Sequence, residues 1–132
     1  MSCPSGIYVV NTDPVVLTAG GTVPLNTIVR RYGSAVSSLN SGVQLRKAGY
    51  YKVDANVTFA PTALGPVSLI LYKDGIPVPG AVVSDVSAAG NDAPLNLTAM
   101  IRQGCCDTPG VLTLEVSAAG TLDNAGLVVT KL

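Results

Sequence analysis

The side chains best suited to covalent or acid–base chemistry are three cysteines, Cys3, Cys105 and Cys106, and eight carboxylates, seven Asp and the single Glu115; the sequence has no histidine. Without histidine the commonest general base is missing, and with it the Ser–His and Cys–His nucleophile pairs. The imidazole ligand of many zinc sites is missing too. Asp13, Asp74, Asp92, Asp107 and Asp123 fall in turn-rich stretches, where Asp is favoured because its side chain bonds its own backbone. Asp54 stands two residues from Lys52 in an alternating segment, with no visible partner that would shift its pKa. An ion pair explains it better than a general acid. No P-loop, GxGxxG or calcium-loop spacing occurs. The expectation is a protein that is not an enzyme, with no catalytic residue and no cofactor.

The cysteines leave three readings open. They are reduced thiols in a cytoplasm; or Cys3 bridges to Cys105 or Cys106 after release into an oxidising setting; or the thiols share a metal between chains on a symmetry axis. One chain supplies three soft ligands at a spacing unlike CxxC…CxxC, so no metal site is expected of the chain by itself. Cys3, Cys105 and Cys106 are therefore carried forward as a disulfide or thiol cluster.

The elements that hold these groups are strands. Tyr51, Val53, Ala55, Val57 and Phe59 alternate with Tyr50, Lys52, Asp54, Asn56 and Thr58, the period of a long half-buried strand. Pro61, Gly65 and Pro66 stop it, Val67–Tyr72 forms a second strand, and Lys73-Asp74-Gly75 turns the chain. Ile7–Val10, Val15–Leu17, Thr22–Val29, Val36–Leu39, Val43–Leu45, Val78–Val86, Leu95–Ile101, Leu112–Val116 and Leu127–Leu132 are further extended segments. Pro24 puts Thr22–Val29 at an edge or bulge, Arg30–Gly33 reads as a strand end and loop, and Asp123-Asn124 as a turn. Asn40-Ser41-Gly42 is a turn between two short strands. No window carries a helical stripe free of Gly and Pro. VSAAG occurs at Val86–Gly90 and at Val116–Gly120, which reads as two strands ending in the same turn. Two Asn-x-Thr sequons, at Asn56 and Asn96, lie inside strands and read as chance.

Composition bounds the rest. The chain has 132 residues, 48% of them hydrophobic and 12% charged, with 14 Gly and 9 Pro, as expected of one all-β domain spanning 1–132. Eight basic and eight acidic side chains cancel, and they read as interspersed solvation of exposed faces. With no basic stripe, nucleic acid is not an expected partner. No apolar run nears the roughly 18 residues of a membrane span, so no membrane partner is expected either. Mean hydropathy is nevertheless +0.45, which implies burial between subunits. The N-terminal MSCPSGIYVV carries no basic segment followed by a long apolar run, so no secretory signal is read.

The order of segments resembles the tumour necrosis factor and complement globular-head superfamily. The likeness rests on Gly49-Tyr50-Tyr51-Lys52-Val53 through Phe59, then Val67–Tyr72, Lys73-Asp74-Gly75 and Pro79-Gly80-Ala81, and the closing Gly126-Leu127-Val128-Val129 with Leu132. It covers roughly residues 7–132. Ile28–Tyr32, Tyr50–Asp54, Phe59–Thr62 and Arg102–Cys106 are more closely similar to small proteins of phages and prophages of Gram-positive gut bacteria. The resemblance implies a ten-stranded jelly-roll sandwich of two antiparallel sheets, assembled as a homotrimer. It implies that the sheet holding the first, third and last long strands faces the threefold axis. Tyr50, Lys52, Asp54, Asn56 and Thr58 would then meet neighbouring subunits while the residues alternating with them from Tyr51 to Phe59 fill the core. Gly104–Gly110 departs from the family pattern, so calcium-site and receptor-loop residues are not carried over. There is no collagen-like stalk.

The function this implies is a non-enzymatic, trimeric structural or adhesive module on the surface of a phage particle: a head decoration, head fibre or receptor-contacting knob. Such a protein is made in the host cytoplasm and released by lysis. Its expected partners are itself, other virion proteins, or a glycan or receptor on the host surface. A lectin-like binding module is the alternative of a different class. It is weakened by the absence of Trp and the presence of only one Phe for stacking on sugars. A spore-surface protein of similar fold usually carries the collagen-like region missing here.

Overall fold

The computed structural model describes residues 4–39, 41–105 and 107–132. Their backbone forms eleven strands and no helix: β1 (Gly6–Asn11), β2 (Val15–Leu17), β3 (Thr27–Tyr32), β4 (Val36–Leu39), β5 (Gly42–Leu45), β6 (Gly49–Pro61), β7 (Gly65–Lys73), β8 (Ile76–Ser87), β9 (Ala93–Gln103), β10 (Gly110–Val116) and β11 (Gly120–Lys131). Two antiparallel sheets result. One has the order β3-β1-β11-β6-β9, with β2 added on β11, and the other β4-β5-β10-β7-β8. Pairing of β1 with β11 and of β6 with both β11 and β9 joins strands distant in sequence, as a jelly roll requires.

Alternation explains the sandwich. In β6, Tyr51, Val53, Ala55, Val57 and Phe59 are buried, while Tyr50, Lys52, Asp54 and Asn56 are exposed and Thr58 is half-buried. The buried row meets Leu69 and Leu71 of β7, Leu95 of β9, Leu112 and Leu114 of β10, and Leu127 of β11 in one core. No buried side-chain nitrogen or oxygen of the described residues lacks a hydrogen-bond partner. The expected Lys73-Asp74-Gly75 turn is a two-residue hairpin. Asp74 and Gly75 have φ of 53° and 79°, the mirror-image turn that Asp-Gly favours. Asp74 also clamps β10: its amide donates to the Val111 carbonyl, and its carboxylate accepts from the Val111 amide, both at 2.9 Å.

Three local expectations are corrected. Thr22–Val29 is not one strand. Thr22 bridges to Glu115 and the Val23 amide donates to the Leu114 carbonyl, whereas Thr27 onward pairs with β1 in the other sheet. The segment crosses between sheets around Pro24, which has no amide to donate, and Val23 and Leu25 bury their side chains on the way. The β3 strand consequently continues through Arg30, Arg31 and Tyr32, which had read as a strand end and loop. Asp123-Asn124 is not a turn but a bulge inside β11, between Leu122 paired with Phe59 and Asn124 paired with Thr58. The two VSAAG copies each end a strand but do not make the same turn: Gly90 has φ of 76°, while Gly120 opens β11. Asn40 of the Asn40-Ser41-Gly42 turn lies outside the described residues.

Candidate assembly face

The outward side of the sheet containing β6 carries the residues predicted from the sequence. Register fixes its cross-strand rows. Arg30, Tyr8, Val128, Asp54 and Thr98 form one, and Tyr32, Gly6, Thr130, Lys52 and Met100 the next. Gly126, Asn56 and Asn96 form a third, so the two sequon asparagines stand opposite each other.

The charged groups of this face are lightly coupled. Lys52 Nζ lies 3.9 Å from Asp54 Oδ2, with both side chains more than half exposed. Such a pair contributes about 0–1 kcal/mol. The Thr98 hydroxyl donates to Asp54 Oδ1 across the β6–β9 pair. Among the described residues no group of three or more Cys, Asp or Glu side chains converges as metal ligands would.

Two tyrosines missed by the sequence reading shape the surface. The Tyr32 ring lies over Gly6, and the Tyr8 ring lies beside Gly126 and Asn56. An aromatic laid over a cross-strand glycine restores the packing that glycine lacks. The result is a hollow of about 230 Å³ lined by Tyr8, Arg30, Tyr32, Val128 and the backbone of Gly6. A neighbouring hollow of about 360 Å³ is lined by Asp54, Asn56, Asn96, Thr98 and Val128. The signal in the sequence was Tyr8 flanked by Ile7 and Val9, which forces its side chain outward. At the sandwich edge, Ile76, Pro77 and Pro79 of β8 and Met100 and Arg102 of β9 line a third hollow of about 380 Å³. Met100 is 65% and Ile76 69% exposed, an apolar edge next to the face.

The thiols are only partly in view. Cys105 is exposed in the β9–β10 loop, and Cys3 and Cys106 lie outside the described residues. Gln103 braces that loop, its amide donating to the Thr108 carbonyl at 3.0 Å and its oxygen accepting from the Gly110 amide at 3.1 Å.

Among the described residues, Tyr51 and Asp123 are shifted by their surroundings. Burial pushes the Tyr51 phenol up, partly offset by its hydrogen bond to the Lys47 carbonyl at 2.5 Å. A hydrogen bond to Asp92 raises Asp123, helped by partial burial and by the charge of Asp92.

No protein-family model matches the sequence, and neither does any curated protein. Solved structures match the fold over nearly its whole length. Murine APRIL aligns with a TM-score of 0.75 at 11% identity, covering 98% of this chain and 100% of that one. The globular domain of zebrafish complement 1qA gives 0.73 at 11% identity over 97% and 96%. The PRD1 vertex protein P5 gives 0.70 at 15% identity over 97% and 96%. The fold is thus the jelly roll of tumour necrosis factor-like and complement-head proteins.

Proposed function

We propose that this chain is a non-enzymatic, trimeric structural or adhesive module of a phage particle, serving as a head decoration, head fibre or receptor-contacting knob. The observation that carries the reading is the outward face of the β6 sheet. It is lined by Tyr8, Tyr32 and Val128 and adjoins the apolar edge of Met100 and Ile76. Exposed apolar surface of this extent on a small protein favours burial against another subunit. Tyr50, Lys52, Asp54, Asn56 and Thr58 lie on that face and meet neighbouring subunits in this reading. The likeness to a phage vertex protein supports placement on a virion surface.

Light scattering on the eluting protein tests the assembly: the expected mass is three times the 13.4 kDa of one chain. A monomer in that measurement overturns the trimer. Immunogold labelling of purified particles tests the location, and particles that stay unlabelled while lysate protein is recognised overturn it.

A further inference from the structure

The formal charge of zero conceals a separation made by topology. Strand β6 serves as a ruler, from Gly49 at one end to Pro61 at the other. Arg102 is in register with Tyr50, Lys131 with Tyr51, Arg31 through Ile7 and Val129 with Val53, and Arg30 through Tyr8 and Val128 with Asp54. Arg46 and Lys47 sit in the loop that enters β6, and Lys73 ends β7, its Nζ donating to the Arg102 carbonyl at 3.0 Å. With Lys52, these are all eight cations of the sequence, and all lie in the Gly49 half. Asp54, Asp74 and Asp107 share that half, and Glu115, in register with Ile70 on the Lys73 side of the centre of β7, lies at its inner border. The other four carboxylates, Asp13, Asp85, Asp92 and Asp123, lie toward the Pro61 end, with no Lys or Arg among them.

Nothing within the chain offsets this division. Among the described residues the one ion pair is Lys52–Asp54. The 13 residues of β6 span about 40 Å at about 3.3 Å each. Screening at physiological salt acts within about 8 Å. The two ends therefore cannot neutralise each other, and like charges gathered at each end repel. At the acidic end Asp92 and Asp123 are neighbours, and among the described residues neither pairs with a cation.

We infer that the ends dock on each other between copies, the acidic Pro61 end of one on the basic Gly49 end of the next. The occupant is a second copy because the chain itself carries both complementary ends: all eight cations lie in the half with four carboxylates, and the other half has four carboxylates and no cation. The contact joins two different patches, so it does not close and propagates head to tail along the strand direction. It does not rest on the trimer reading.

Sedimentation velocity of the full chain tests the inference. It is run at about 10 mM ionic strength, where the Debye length is about 30 Å, and at about 1 M, where it is about 3 Å. At low salt we expect species at whole multiples of the high-salt unit, and at high salt that unit alone. R46E/K47E reverses charge at the basic end and D92K/D123K at the acidic end. Each variant alone stays at one unit in low salt. Mixed, they pair and stack again in alternation, because the two intact ends dock and the two reversed ends are complementary to each other. Stacking by either variant alone, failure of the mixture to pair, or wild type at one unit in both salts overturns the inference. Retention of such a non-stacking wild type on heparin, lost in R46E/K47E, would assign the basic end to a polyanion instead. The high-salt mass separately reports the lateral assembly, so a monomer there removes the trimer and leaves the stacking result to stand on its own.

Discussion

The Tyr32 ring and Gly6 occupy one another's space. A β-carbon on Gly6 would stand 2.6 Å from the Tyr32 hydroxyl oxygen and 2.8 Å from Cε1, and the two residues are direct partners in the β1–β3 pairing. Gly6→Ala must therefore push the ring off β1. Tyr32 is 47% exposed and its ring can swing, so the cost lies at the low end of overpacking, about 1 kcal/mol. Tyr32→Ala removes the obstacle. The double variant should be more stable than the sum of the two single losses by at least about 0.5 kcal/mol in urea titration. Additive losses would mean that ring and glycine are not coupled.

Core and surface of β6 should differ sharply at adjacent positions. Phe59 is fully buried and Thr58 is not. Phe59→Ala should cost about 3–5 kcal/mol, as aromatic deletions in cores do. Thr58→Ala should stay within about 0.5 kcal/mol. Equal effects in chemical denaturation would contradict the alternation.

That alternation is why much of the fold was legible. In β6 and β9 the period of two runs unbroken for ten residues or so, and burial follows it residue by residue. The Asp-Gly hairpin was legible for the same local reason. What escaped was set by distant partners. Pro24 looks alike in an edge strand and in a crossing between sheets. Asp123-Asn124 has turn chemistry, yet the β6 partner extends past it and holds the segment as a bulge. The face was read from its centre strand, so Tyr8, Tyr32, Met100 and the segregation of charge to two ends appeared only with the register.

Tyr51 and Asp123 should shape opposite ends of the stability–pH profile. Burial raises Tyr51, so the folded state keeps the phenolic proton longer than the unfolded chain does. Stability is then full below the unfolded value of about 10 and falls as pH rises from there through the folded value. Asp123 is also raised, so here too the folded state holds the proton more tightly. Its contribution is present below the usual carboxylate range and is lost as pH rises through the shifted value. Tyr51→Phe should remove the alkaline loss. It should also cost about 1–3 kcal/mol at neutral pH by orphaning the Lys47 carbonyl. Asp123→Asn should flatten the acid-side slope. Thermal melts across pH check both, and unchanged profiles in the variants would refute the assignments.

Lys52→Glu tests the assembly face. Within one chain Lys52 is exposed and makes only the loose pair with Asp54, so the monomer should lose no more than about 1 kcal/mol. Between chains the change is larger. It places a second carboxylate beside Asp54 on a face that the proposed trimer would bring together three times around one axis. Like charges apposed in a partly desolvated contact cost several kcal/mol. The expected result is a folded monomer, with wild-type strand content by circular dichroism and one chain mass by light scattering. The neutral Lys52→Gln should keep the trimer, since it removes the cation without adding repulsion. A trimer that survives Lys52→Glu at low salt would move the subunit contact away from the centre of β6, leaving Tyr50, Lys52, Asp54, Asn56 and Thr58 as an ordinary solvated face.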